Sequence, residues 1–246
     1  MEKELFLCID IGNSLYKLAI FRSSRQIHFQ QGPILHLTTI KKLFGEFRCS
    51  HAILCQVKTI KESIKEFLKK QTHYVEFNTE LPVPVKIRYR TPKTLGSDRL
   101  AAVCGAARLY TGHPALVIGI GTCITYDIIT AKKEYLGGNI SPGLDMRLQA
   151  MHHYTARLPL VDKNLKVKFI GDSTVHALQS GALWGIQQEL EGMIEAYRHR
   201  YPGLKIVLSG GGADFYKNRL KKTIFAHPNL VILGLKEILS LHVQTS

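Results

Sequence analysis

The stretch LFLCIDIGNSLYKLAIF, residues 5–21, opens on the continuous apolar run 5–9, which ends at Asp10. A short uninterrupted run of this kind predicts a strand buried on both faces. Gly12 and Asn13 supply turn residues, and residues 16–21 predict a second strand, so the chain begins as a hairpin. Residues 26–30 alternate like a third strand. Beyond them the pattern changes to a helix (38–47), a strand (52–57), an amphipathic helix (59–70) and a strand (74–77). A three-strand meander followed by βαβ units predicts an α/β domain.

The same order recurs downstream. Residues 115–120 form an apolar strand broken by Gly121-Thr122, followed by strands at 124–130 and 135–140 around a turn at 131–133. Helical patterns follow at 144–153 and 173–198, then a strand at 205–208 leading into Ser209-Gly210-Gly211-Gly212. The apolar run 230–233 predicts a last strand before a final helix at 235–243. The expectation is two tandem, structurally similar α/β halves, 1–114 and 115–246, each with a mixed five-stranded sheet. A helix at 97–110 joins them, with a cleft between.

Asp10-Ile11-Gly12-Asn13-Ser14, with Lys17 just beyond, sits at the first hairpin turn. Glycine admits close backbone approach to a phosphate, Asn and Ser offer neutral hydrogen bonds, and Lys17 offers positive charge. Asp10 is placed to hold Mg²⁺, a cation that takes oxygen ligands and keeps its waters. A plain hairpin turn uses the same residues, but Gly121-Thr122 at the equivalent turn of the second half adds weight. Paired glycine-and-hydroxyl hairpins are the phosphate clamp of the actin, hexokinase and Hsp70-like ATPases, invoked by analogy. The sequence has no GxxxxGK[ST] loop, protein-kinase set or GxGxxG helix start to rival them. Ser209-Gly210-Gly211-Gly212, between strand and helix, could add backbone donors for a nucleotide.

The stretch YRTPKTLGSDR, Tyr89 to Arg99, brings a carboxylate and a guanidinium to a helix start after a proline-containing approach. Asp98 could accept the proton of an attacking hydroxyl and Arg99 could pair with an anionic substrate group. A helix-end charge with a surface ion pair is the alternative.

In order, the blocks DIGNS, YRTPKTLGSDR, GTCITYD (Gly121 to Asp127), GGNISPG (Gly137 to Gly143), TARLP (Thr155 to Pro159), the helix start at Thr174 and SGGG resemble type III pantothenate kinase over essentially the whole chain. The resemblance implies a homodimer of the ribonuclease H-like, actin-like fold, with the active site near the dimer interface. Its reaction would be ATP-dependent phosphorylation of pantothenate, the first step of coenzyme A biosynthesis. It places Asp10, Ile11, Gly12, Asn13, Ser14, Lys17 and Thr122 on ATP. It places Tyr89, Gly96, Ser97, Asp98, Arg99 and Thr174 on pantothenate, with Asp98 as general base and Mg²⁺ held through Asp10 and ATP. One position departs from the family pattern. Gly119 stands where relatives carry the aspartate that binds K⁺ or NH₄⁺, so a monovalent cation would lack that side-chain ligand here. The rival expectation is a catalytically impaired relative acting as a binding or transcription-accessory-like protein.

Composition narrows the partners. The 246 residues are 45% hydrophobic and 21% charged, enough to bury a core without covalent staples. Lys and Arg number 33 against 19 Asp and Glu, a formal +14, which raises nucleic acid, anionic membranes and phosphorylated small molecules. The N-terminus shows no signal-peptide pattern, and no run approaches about eighteen apolar residues. The basic runs 61–70 and 217–222 lack interleaved aromatics and read as solvated helix faces or a loop rim. Nucleic acid and membrane are therefore not expected. Cys8, Cys49, Cys55, Cys104 and Cys123 are odd in number and lack ligand spacing, so they read as buried thiols of a cytoplasmic protein. His152-His153 and Trp184 read as structural, while Asp127 remains open between hydrogen bonding and a cation role.

Overall fold

In a computed structural model that describes residues 4–220 and 224–245, β1 (Leu5–Ile11), β2 (Tyr16–Arg22) and β3 (Arg25–Gly32) form an antiparallel meander. Then come α1 (Leu37–Glu46), β4 (His51–Gln56), α2 (Glu62–Gln71) and β5 (His73–Glu76), with β4 parallel to β1 and β5 parallel to β4. The sheet order is β3-β2-β1-β4-β5. β1 is central, which is why its sequence is apolar without alternation. Leu7, Ile9, Leu18, Ile20 and Leu54 make a core with Ile40 and Leu43 of α1 and Ile64 and Leu68 of α2.

The chain continues through β6 (Lys86–Ile87), a 3-10 turn (Pro92–Thr94) and α3 (Ser97–Leu109). Next are β7 (Ala115–Ile120), β8 (Cys123–Ile129), β9 (Glu134–Pro142), α4 (Leu144–His153) and α5 (Thr174–Arg200). It closes with β10 (Lys205–Ser209), α6 (Ala213–Lys217), β11 (Phe225–Ala226) and α7 (Leu230–Thr245). The second sheet has the order β11-β10-β7-β8-β9-β6. Its first five strands repeat the order of the other sheet: a central strand antiparallel to the next strand in sequence and parallel to the one across. Its core gathers Leu116, Ile118, Tyr126, Ile186, Leu190, Ile206 and Leu208.

Three expectations are corrected. The second sheet has six strands, not five, because Lys86 and Ile87 pair in parallel with Glu134 and Tyr135. Arg88 extends that pairing through its backbone N–H to the Tyr135 carbonyl at 2.8 Å, and its guanidinium meets Glu134 at 2.7 Å. Residues 230–233 are not a strand but the first turn of α7, and the strand at that edge is the two-residue β11. The run 61–70 is not wholly solvated. Lys65 is 8% exposed and its Nζ lies 2.6 Å from Glu76 Oε1, a pairing that a buried ammonium requires.

Two compact units are present. Of the described residues, one unit holds those up to Thr111, those of Lys133–Leu136 and those from Asn229 on, and the other holds those of Gly112–Lys132 and Gly137–Pro228. A division of the chain at 115 puts α7 with the strands it follows, whereas in space it packs on α3 and β1. Small residues permit that packing. A Cβ on Gly234 would fall 1.7 Å from the Ala101 carbonyl oxygen, and one on Gly105 2.6 Å from that of Leu230.

Cys8, Cys49, Cys55 and Cys104 are buried free thiols, and Cys123 is half-buried. Trp184 is packed edge-on by Phe169 and covered by the Arg219 guanidinium 5.1 Å from its ring centre. Of the second basic run, Lys217 is exposed, while Lys221 and Lys222 lie outside the described residues. No helix among the described residues is long and apolar enough to cross a membrane.

Candidate functional site

In the first unit the β1–β2 hairpin closes through the Gly12 N–H, which donates to the Leu15 carbonyl at 3.0 Å, leaving Asn13 and Ser14 exposed at the tip. Asp10 and Lys17 are cross-strand partners, so strand register puts carboxylate and ammonium side by side below the turn. Ile11 is different. Its side chain is buried in the core and its carbonyl accepts from Val57 N–H at 2.8 Å, so only its backbone is available to a ligand. Lys58, which the sequence reading did not single out, donates to the Asn13 carbonyl and braces the loop from the end of β4.

Asp10 also faces Cys55 across the parallel β1–β4 ladder. The Cys55 thiol donates to Ser97 Oγ at 3.3 Å, fastening the end of β4 to the first residue of α3. Burial pushes that thiol up, as does the charge of Asp10, so it stays neutral. α3 begins after Gly96, and Asp98 lies in its first turn, where a carboxylate is favoured by the helix dipole. Asp98 Oδ1 accepts from the Arg99 backbone N–H at 2.9 Å. Gly96 leaves the space for it: a Cβ there would lie 2.6 Å from Asp98 Oδ1.

The result is a pair of carboxylates with one nearby ammonium. Burial, then the charge of Asp98, push the Asp10 carboxyl up from 3.8 to about 7, against the pull of Lys17. Lys17 is in turn pushed down by burial, with Asp10 opposing. Asp10 Oδ1 is shielded from solvent and has no hydrogen-bond partner. A shielded acceptor-only oxygen beside a second carboxylate suits a hard divalent cation. Among the described residues, no three His, Cys, Asp or Glu gather as a protein-only metal site, so such a cation would need a ligand to complete its shell.

Two further expected residues lie in this unit. Tyr89 follows β6 and stacks on Tyr135, centroids 6.1 Å apart and planes 9° from parallel. Tyr135 is fully buried and fixes the position of Tyr89. Arg99 is 9% exposed and engaged within the protein.

In the second unit three glycine-bearing loops meet at Gly121-Thr122. The Gly121 N–H donates to the Cys123 carbonyl and the Gly143 N–H to the Thr122 carbonyl, both at 3.0 Å. A Cβ on Gly143 would fall 2.2 Å from the Gly121 oxygen and 2.6 Å from that of Thr122. From the other side Gly212 N–H donates to the Ile120 carbonyl at 3.1 Å, and Gly210 takes a φ of +85° that other residues rarely adopt. Thr122 is exposed, and its carbonyl is held by the Gly143 N–H. Thr174 is the exposed first residue of α5, whose Ser173 cap accepts from the His176 N–H at 3.2 Å.

Gly119 pairs with Thr125 on β8 and with Ser209 on β10. A Cβ at Gly119 would meet Thr125 Oγ1 at 2.7 Å, so the threonine hydroxyl fills the space a larger side chain would enter. Asp127 is 1% exposed and engaged within the protein.

The family model for type III pantothenate kinase matches residues 6–196. A type III pantothenate kinase of Phocaeicola vulgatus is 41% identical over 235 residues, covering 95% of this chain and 97% of its own length. One of Christiangramia forsetii is 39% identical over 237 residues, with coverage of 95% and 97%. Among solved structures, a conserved putative Baf family transcriptional activator from Campylobacter jejuni aligns with TM-score 0.60 at 24% identity, covering 97% of this chain and 99% of its own. A putative 2-dehydro-3-deoxygalactonokinase from Sinorhizobium meliloti aligns with TM-score 0.53 at 13% identity, covering 96% and 99%. These two likenesses speak to the fold alone.

Proposed function

The chain belongs to the type III pantothenate kinase family, and from that premise we propose that it transfers the γ-phosphoryl group of ATP to the hydroxyl of pantothenate, giving 4′-phosphopantothenate and ADP as the first step of coenzyme A biosynthesis. The observation that carries the reading is the carboxylate pair Asp10 and Asp98 with Lys17 beside it, one oxygen of Asp10 buried and without a partner. A proton-accepting group and a phosphate-neutralising group are what this transfer needs.

Asp98 is the general base. It takes the proton of the pantothenate hydroxyl as that oxygen bonds to the γ-phosphorus and the bond to the β-phosphate oxygen breaks. Lys17 and the backbone of Gly12, Asn13 and Ser14 bind the phosphates, with Ile11 contributing only its backbone. Thr122 binds the phosphates from the second glycine loop. Asp10 is the side chain that fits Mg²⁺, which, bound with ATP, neutralises charge on the phosphates. Tyr89, Gly96, Ser97, Arg99 and Thr174 shape the pantothenate pocket, where Arg99 offers a charge complementary to the carboxylate of that substrate. Gly119 has no side-chain oxygen for a monovalent cation, so no step is assigned to K⁺ or NH₄⁺. A homodimer in the cytoplasm, with the active site near its interface, completes the proposal.

Asp10, Lys17, Asp98, Arg99 and Thr122 are all present, which favours a working enzyme over a catalytically impaired binding protein. The test is incubation with MgATP and pantothenate, with ADP and the phosphorylated product quantified. Equal, pantothenate-dependent formation of both is expected. No such ADP, with tight salt-sensitive DNA binding instead, would reverse the assignment.

A further inference from the structure

A half-buried polar cluster built on the buried Tyr126 lies behind the Gly121-Thr122 loop, on residues that the proposed chemistry does not use. Glu189, near the middle of α5, has its carboxylate fully committed. Its Oε1 accepts from Tyr126 Oη of β8 at 2.8 Å and from Ser141 Oγ of β9 at 2.5 Å. Its Oε2 accepts from the Arg147 guanidinium of α4, whose Nε donates to the Pro142 carbonyl at 2.9 Å. Burial pushes the Glu189 carboxyl up, but the hydrogen bonds from Ser141, Tyr126 and Arg147, with the charge of Arg147, hold it below its ordinary range.

Two of the three donors belong to, or hold, the segment Ser141-Pro142-Gly143. That segment ends in the glycine whose N–H binds the Thr122 carbonyl and whose Cα abuts the Gly121 and Thr122 oxygens. Glu189 reaches that backbone only through Ser141 and Arg147.

We infer that Glu189 is a positioning residue for ATP, acting through Ser141, Arg147 and Gly143 on the Thr122 loop. The inference rests on the proposed placement of Thr122 on the phosphates. Tyr126 provides the internal control. It donates to the same Oε1 as Ser141 but from β8, so removing its hydroxyl disturbs the carboxylate without freeing the 141–143 segment.

Steady-state kinetics of the full chain test this, with ATP and pantothenate varied in turn and unfolding midpoints measured for each variant. Glu189→Gln and Ser141→Ala are expected to raise KM for ATP about three- to tenfold, with KM for pantothenate moved less than twofold. Tyr126→Phe is expected to lower the midpoint while leaving KM for ATP within twofold. Should Tyr126→Phe and Ser141→Ala shift KM for ATP alike, the cluster is structural support only and the inference falls. Thr122→Ala separates the two levels of argument. If it raises KM for ATP while Glu189→Gln and Ser141→Ala do not, this inference alone is wrong. An unchanged KM for ATP in Thr122→Ala overturns the placement of Thr122 and the inference with it.

Discussion

Replacing Asp10 with asparagine should make the protein more stable and nearly inactive, and the stability gain should depend on pH. Burial and the neighbouring Asp98 push the Asp10 carboxyl from 3.8 to about 7 in the folded protein. In the unfolded chain it ionises near the ordinary value, so the unfolded state gains from ionisation first as pH rises. Below about pH 4 both states hold the proton and asparagine confers no advantage. Between about pH 4 and 7 the wild-type protein loses stability relative to the variant, and above about pH 7 the gap is constant. At about 1.4 kcal/mol per pH unit the raised value corresponds to roughly 4 kcal/mol. Asparagine has an uncharged but still buried and unpartnered polar group, so the net gain expected at pH 8 is about 1–3 kcal/mol. For a chain of this length that is a rise of roughly 2–12 °C in Tm. The assay is denaturant or thermal unfolding of both proteins without nucleotide or Mg²⁺ at pH 4, 6 and 8, beside turnover at pH 8. A gap of the same size at all three pH values would refute the buried-carboxylate account. So would an asparagine variant less stable than wild type at pH 8.

Asp98→Asn should fold with an unchanged unfolding midpoint to within a few degrees and lose roughly 10²–10⁴ in kcat, as measured by pantothenate-dependent ADP release; near-normal kcat would remove Asp98 as the base. Gly96→Ala places a methyl 2.6 Å from Asp98 Oδ1 and should lower kcat about tenfold or more by displacing that carboxylate, with rate restored to wild type counting against the steric argument. Because Gly119 supplies no carboxylate, activity in buffer free of potassium and ammonium should stay within about threefold of that with K⁺. Its disappearance there would mean that other oxygens hold the ion.

Much of the architecture could be read from pattern because the informative segments are local. The run 5–9, its turn residues and the strand after it report burial and chain reversal within a few positions, and the same holds for the hairpin around Gly121. The elements that escaped are those whose cause lies far away in sequence. β6 is two residues long and exists because Glu134 and Tyr135 offer it a partner. Lys65 looks like one more solvent-facing lysine until Glu76, brought alongside by the β4–β5 ladder, gives it a reason to turn inward. Glu189 is one polar residue among several on a long helix, and only the folded chain aligns it with Tyr126, Ser141 and Arg147.

Glycine shows why the rest was harder to read. A glycine at a turn and a glycine at a close contact are written with the same letter. Gly234 follows the apolar run 230–233 and reads as a break after a strand, yet α7 runs straight through it because Ala101 of α3 approaches where a side chain would be. Gly143 reads as the end of a loop motif, but its missing Cβ lets the 141–143 segment lie against the Gly121-Thr122 backbone. Gly96 reads as part of a pantothenate motif, and its missing Cβ leaves space for the Asp98 carboxylate. In each case substitution brings an added methyl against backbone or the Asp98 carboxylate, so the penalty depends on what stands opposite rather than on helix or turn propensity. At Gly234 the loss should be stability, since both partners are helix backbone. At Gly96 it should be rate, since the displaced group is the proposed base.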